Sequence, residues 1–434
     1  MDKMADVLGR AGAWCGQNKY LSAIKNAFQN FMPLTIAGAI GVLWCNVLVN
    51  DQTGLGLFFK PIMALDFLNP AFQAVNFCTI SCITVGITLG IAQEIGVWNM
   101  GAERAGYIPG LVGLAAWLSV TNTSHMVDGA KEAFTGIAGN ELGATGLFTG
   151  MIIGVLSVEL FCFFEKQDAL KIKMPEQVPP GVARAFEVLV PATITLIITA
   201  CIGSACYNLT GLYLNDVIKN GIQGPLGAVG ATIPGVMIIY LVIMLFWLVG
   251  IHGNNMLSAV KEALFTPLAL ENVEAFNKGE TPKNIINMYF LQMTGEFGGS
   301  GVTIGLVIAI MIFGKREDNK AIATLSLVPG LFNINETVTF GIPMVLNPIL
   351  GIPFVFACLV TIIVGYVLTV IGFCPVACLT VPWTTPPIVF GFLACGANVM
   401  GAVTQAILIV ISTVIYVPFL ISYEKYQNKQ AAEA

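Results

Sequence analysis

A single carboxylate, Glu336, interrupts the 103 residues from Ala321 to Tyr423, which hold no other charge. It sits in Pro329-Gly-Leu-Phe-Asn-Ile-Asn-Glu-Thr-Val. Facing lipid, such a group would cost at least about 2.5–3.5 kcal/mol on insertion scales; the alternative is a loop-tip Glu in water. A carboxylate reached by a bound hydroxyl suits general-base chemistry, and the flanking Asn333 and Asn335 could donate hydrogen bonds to it or to a ligand. His252 is one of two histidines and ends an apolar run in Trp247-Leu-Val-Gly-Ile-His-Gly-Asn-Asn. Alone it reads equally as a ligand-binding group or as an anchor at a helix end. The other, His125, lies in a Ser/Thr/Asn-rich loop and is taken as structural. Trp383, in Pro382-Trp-Thr-Thr-Pro-Pro, could stack on a sugar ring or anchor at the membrane interface. Glu296, just before Gly298-Gly-Ser-Gly, is a further candidate. Two histidines and no thiolate pair argue against a metal site. The glycine run lacks the Gly-Lys-Ser/Thr of a phosphate loop, so no cofactor is expected.

The elements that must carry these residues follow from composition. The chain has 434 residues, of which 10% are charged and 56% hydrophobic, with a mean hydropathy of +0.81. About a quarter of a soluble domain is charged, so a soluble enzyme, a nucleic-acid binder and a disordered protein are all excluded. Apolar stretches of more than about 20 residues can cross a bilayer as helices. The expected fold is an all-α polytopic membrane protein with about ten transmembrane helices, re-entrant hairpins and interfacial amphipathic helices. Most of the eleven cysteines lie in apolar segments and read as free, buried thiols.

Charge-free intervals place spans near 31–50, 72–92, 107–122, 143–164, 186–210 and 229–251. Lys3, Arg10, Lys19 and Lys25, interleaved with apolar residues, suggest an amphipathic helix on the cytoplasmic face. The loop with Lys166, Lys171, Lys173 and Arg184 is cytoplasmic by the positive-inside rule, and the span parity agrees. Beyond residue 251 the chain is rich in Gly and Pro. A broken hairpin is expected at Gly298–Gly301, further hairpins near 321–350 and 375–398, and full spans at about 352–374 and 400–423. Irregular backbone is tolerated at membrane depth only inside protein or against a water-filled cavity, and interrupted segments point to a transporter's binding site. Residues 1–211 therefore read as a scaffold half, 212–228 as an amphipathic connector, and 229–434 as the substrate half.

Phe332-Asn-Ile-Asn-Glu followed by Phe340-Gly-Ile-Pro-Met-Val-Leu-Asn-Pro-Ile-Leu resembles the signature of the IIC permeases of the phosphotransferase system, in the lactose/cellobiose/diacetylchitobiose family. Gly250-Ile-His-Gly-Asn-Asn, Gly298-Gly-Ser-Gly and Trp383-Thr-Thr-Pro-Pro match in the same order, so the similarity covers nearly the whole chain. It departs at Thr337, where the family usually has Pro, and in Gly90–Trp98 with Gln93 and Glu94, which bears on sugar-length selectivity. The resemblance implies a homodimer in a bacterial cell membrane, with the N-terminal half, residues 1–211, as its dimerisation half; the basic residues near both ends, Lys425 and Lys429 at the second, place both termini in the cytoplasm. The resemblance also implies that His252 and Glu336 flank the hydroxyl to be phosphorylated, with Trp247, Asn254, Glu296, Asn335 and Trp383 as the substrate-binding set. Phosphate would arrive from a phosphocysteine on a cytoplasmic IIB protein, with IIA upstream. No IIB-like Cys loop follows residue 434, so IIB is expected on another polypeptide. The rival expectations are a proton- or sodium-coupled sugar symporter using Glu336 as coupling site, and a membrane enzyme that transports nothing.

Overall fold

The computed structural model describes residues 10, 14, 17–51, 55–125, 134–175, 177–225, 230–342, 344–345 and 347–433. Most of the expected N-terminal amphipathic helix, including Lys3, and residues 226–228 of the connector lie outside these. The described residues are mostly helical, with irregular stretches between the helices and a two-stranded antiparallel turn that pairs Ser124–His125 with Phe134–Thr135. The longer helices are α1 (Lys19–Leu43), α2 (Ile83–Met100), α3 (Ile108–Val120), α4 (Ala144–Glu165), α5 (Pro180–Thr210), α6 (Ile233–Leu248), α7 (Ser258–Asn277), α8 (Met288–Gly295), α9 (Ile304–Phe313), α10 (Glu317–Leu331), α11 (Glu336–Gly341), α12 (Gly351–Val370), α13 (Val389–Ala394) and α14 (Val399–Glu433).

Among the described residues five helices are long and apolar enough to cross a membrane, or seven if each of two bent pairs counts as one span. The bent pairs are Lys60–Ser81 with α2, at 42°, and Met288–Val302 with α9, at 59°; α3 and α6 are shorter apolar helices. The second bend falls on Gly298–Gly301, where a broken hairpin is expected. The chain forms two compact units. One holds Gln17–Gly38 and Gln73–Gly227; the other holds Met1–Gly16, Ala39–Phe72 and Ala228–Ala434.

The first unit is a regular helix packing. Ala116, Trp117, Val120 and Ile153 form a buried cluster, against which Leu196 and Leu214 pack. Small residues let the helices approach: a Cβ on Gly113 would lie 2.3 Å from that of Ala92, and one on Gly150 would strike the Thr88 hydroxyl. Where α4 ends and α5 begins, Arg104 and Arg184 each bridge Glu165 and Glu187 at 2.8–2.9 Å. Two charges of each sign then cancel around a Glu165 that is almost fully buried.

The second unit is built on interruptions, and its side chains satisfy the backbone groups that the breaks set free. Without water, each orphan carbonyl in the bilayer would cost several kcal/mol. Around the Gly298–Gly301 break, Thr303 donates to the Gly298 carbonyl at 2.6 Å, Asn335 to Ser300 at 2.7 Å and Tyr416 to Gly301 at 2.8 Å. At the 375–398 hairpin, Asn272 and Asn287 both donate to the Ala377 carbonyl at 3.0 Å. The buried Gln405 accepts from the Ile388 and Gly391 amides and donates to Met293. Asn287 also caps α8 by accepting from the Tyr289 and Phe290 amides.

Candidate functional site

α6 ends at Leu248, and Gly250 at φ +83° turns the chain so that His252 caps the short helix Gly253–Met256. Its Nδ1 accepts from the Asn255 amide at 3.2 Å. In the neutral imidazole the proton must then sit on Nε2. That nitrogen lies 3.8 Å from Oε1 of Glu336, with the two side chains 36% and 48% exposed. This is too long for a direct hydrogen bond, and it suits two groups that flank one hydroxyl. Trp247 is only 2% exposed. Its ring backs His252, with centroids 4.4 Å apart and a 48° tilt, so it presents no open face.

Asn254 donates to the Ser300 hydroxyl at 2.9 Å, tying the residues after His252 to the glycine-rich break. Lys261 on α7 reaches the Asn254 amide oxygen at 3.5 Å and forms an ion pair with Glu296. The Tyr240 hydroxyl donates to the same Glu296 oxygen at 2.7 Å, and the lysine ammonium stands 5.6 Å from the Tyr240 ring centroid. Asn335 is buried and spends its amide nitrogen on the Ser300 carbonyl. Trp383 is 44% exposed. Its carbonyl accepts from Asn333, whose Oδ1 accepts from the Gly298 amide at 2.6 Å.

All seven expected residues therefore lie in one unit. His252, Glu336 and Trp247 are grouped directly. Asn254 and Asn335 meet on Ser300, Glu296 joins them through Lys261, and Trp383 is tied in through Asn333. Gln93 and Glu94 are spent within the first unit. Gln93 bridges the Gly106 carbonyl and the Gly110 amide, and Glu94 accepts from Asn26 at 2.9 Å.

Sequence reasoning missed Lys261, which marks the end of a charge-free interval and so reads as a membrane-surface residue; it is buried. The available signal was a second isolated charge, Glu296, in need of a partner. It also passed over Glu262, half-buried on α7 and accepting from Thr266 at 2.5 Å, and the hydroxyls of Tyr240 and Ser300. Among the described residues no three His, Cys, Asp or Glu side chains converge as metal ligands. The ten described cysteines are all free.

Residues 25–358 match the family described as "Phosphotransferase system, EIIC". Over 429 residues the chain is 33% identical to the oligo-beta-mannoside-specific EIIC component of Bacillus subtilis (strain 168), spanning 98% of this chain and 94% of that one. It is 30% identical to the cellobiose-specific EIIC component of Lactococcus lactis subsp. lactis (strain IL1403), with 98% of each chain covered. The crystal structure of the transporter ChbC, the IIC component from the N,N′-diacetylchitobiose-specific phosphotransferase system, superposes with a TM-score of 0.88. That match has 29% identity and covers 97% of each chain.

Proposed function

This chain belongs to the EIIC family of the phosphotransferase system, a family of multi-pass membrane sugar permeases, and on that premise we propose that it takes up a β-linked disaccharide of the cellobiose, diacetylchitobiose or lactose type and presents one hydroxyl for phosphorylation. The carrying observation is the His252–Glu336 pair, 3.8 Å apart, with its imidazole Nε2 turned toward the carboxylate. The family assignment favours this reading over an ion-coupled symporter.

In the proposed step a sugar hydroxyl lies between the two side chains. Glu336 accepts its proton as the oxygen attacks phosphorus, while His252 Nε2–H donates to that oxygen and holds it in place. The phosphorus–sulfur bond of a IIB phosphocysteine breaks, and the thiolate leaves on IIB, which IIA recharges. The ring of Trp383 stacks on the sugar. Trp247 orients His252 from behind, and Asn254, Asn335 and Glu296 shape the site from the glycine-rich break. Residues 229–434 carry the sugar, residues 1–211 act as scaffold and homodimer contact apart from Ala39–Phe72, which belong to the sugar-carrying unit, and 212–228 connect them. The protein sits in a bacterial cell membrane with both termini cytoplasmic.

Uptake of radiolabelled cellobiose into vesicles tests the reading. Accumulation as sugar phosphate, dependent on phosphorylated IIB and indifferent to ionophores, is expected. Accumulation of unmodified sugar driven by a proton or sodium gradient would overturn it.

A further inference from the structure

Asn333 stands where a helix ends, and its backbone explains only half of it. α10 closes with Phe332 as its C-cap, followed by Asn333 at φ +62°. The Asn333 amide bonds the Gly330 carbonyl and the Ile334 amide bonds that of Pro329, both at 3.0 Å. These are the two bonds of a Schellman motif, whose left-handed position glycine fills at least strain and asparagine fills less often. Termination alone would be served by glycine, so the asparagine side chain calls for a separate reason.

That reason is a three-way staple. Oδ1 accepts from the Gly298 amide at 2.6 Å, and the two Nδ2 hydrogens go to the carbonyls of Trp383 and Thr385, the latter at 3.1 Å. The partners fix the amide orientation, because carbonyls face only the NH₂ and a backbone N–H faces only the oxygen. One side chain thereby joins the glycine-rich break, the hairpin that carries Glu336 three residues later, and the loop that carries Trp383. The joined segments lie 35 and 50 residues away in sequence. Trp383 is 44% exposed, and its loop is irregular from Cys374 to Ile388.

We propose that Asn333 is a positioning residue that sets the distance between Glu336 and the stacking face of Trp383, and so the length of sugar that places a hydroxyl on Glu336. The inference rests on the proposed roles of those two residues. Without the staple the Trp383 loop shifts relative to the carboxylate, sugars of neighbouring length fit more equally, and the preferred disaccharide loses its advantage.

The test uses the full chain in nanodiscs with phosphorylated IIB. It reads KM and kcat for cellobiose and cellotriose, together with thermal stability. Asn333→Gly keeps the helix stop and removes the staple. Asn333→Asp keeps the acceptor for Gly298 but sets an oxygen against the two carbonyls. Both are expected to raise KM for cellobiose about tenfold or more, since the released Trp383 loop no longer holds the sugar in register with the carboxylate, and to narrow the cellobiose-to-cellotriose ratio of kcat/KM. In a Trp383→Ala background, Asn333→Gly should add little to KM. Should one variant fail to fold, the other decides. Wild-type KM and an unchanged sugar ratio in a folded variant, whatever its melting temperature, would overturn the inference, as would losses that simply multiply in the double variant. A wild-type protein that phosphorylates no β-disaccharide would instead overturn the functional reading and the inference with it.

Discussion

The ion pair of Lys261 and Glu296 should behave as a buried charge pair whose halves cannot be removed singly. The lysine side chain is 8% exposed and the carboxylate 17%, so both have lost most of their water. Lys261→Met keeps most of the length of the side chain and withdraws the charge, leaving Glu296 with the Tyr240 hydroxyl as its remaining donor. Removing one partner of a buried pair costs about 3–5 kcal/mol. The surviving bond to a charged group contributes about 1.5–3 kcal/mol, which places the expected loss near the lower end, at about 3 kcal/mol. For a cooperative unit of about 250 residues this corresponds to roughly 6–12 °C in melting temperature. Lys261→Met combined with Glu296→Gln removes both charges and keeps an acceptor for Tyr240, so it should recover most of the loss. The assay is thermal unfolding of the three variants and the wild type in one detergent. If the double variant melts as low as Lys261→Met, lost packing and not an unpaired charge is responsible, and the argument fails.

Two further outcomes bear on the chemistry. Glu336→Gln should lower sugar phosphorylation by roughly 10²–10⁴-fold, the usual worth of a general base, while cellobiose affinity changes little; formation of sugar phosphate at the wild-type rate would refute the base. His252→Asn supplies another good N-cap acceptor for the Asn255 amide but withdraws Nε2. Stability should hold while sugar affinity falls about ten- to a hundredfold, and unchanged affinity with a lower melting temperature would make His252 a purely structural cap.

Long-wavelength features of this fold are legible in the sequence, and cross-chain pairings are not. Charge-free intervals locate α1, α4, α5, α12 and α14 because a charge at membrane depth is costly, so its absence over about 20 residues is itself a signal. The isolation of Glu336 marks it for the same reason. Lys261 was misplaced by that logic, since an interval's end looks identical whether the charge meets water or a buried partner 35 residues on. Trp247 enters the expected substrate-binding set through the family resemblance, yet its neighbours bury it. Asn333 and Asn335 look alike as flanks of Glu336. Only the fold shows that both amides are committed to backbone groups, 35 to 52 residues away, that helix breaks have freed.

Those commitments mean that the site and the integrity of the breaks are one problem, and Gly299 exposes it. Its φ of +87° and ψ of −176° fall in a region open essentially to glycine alone. A Cβ there would lie 2.6 Å from both Cβ and Cγ of Asn335. Gly299→Ala should therefore cost the backbone strain of about 1–3 kcal/mol and also push Asn335 off the Ser300 carbonyl, moving the neighbouring Glu336. Gly279 separates the two effects. It lies at φ +72° in the turn after α7, where an added Cβ meets nothing within 4 Å, so Gly279→Ala carries backbone strain only. Both variants should melt lower, but only Gly299→Ala should lose sugar phosphorylation per folded molecule, by tenfold or more for a base displaced by about 1 Å. Equal activity in the two folded variants would show that Glu336 keeps its place without Asn335, and that satisfying the break and building the site are separable after all.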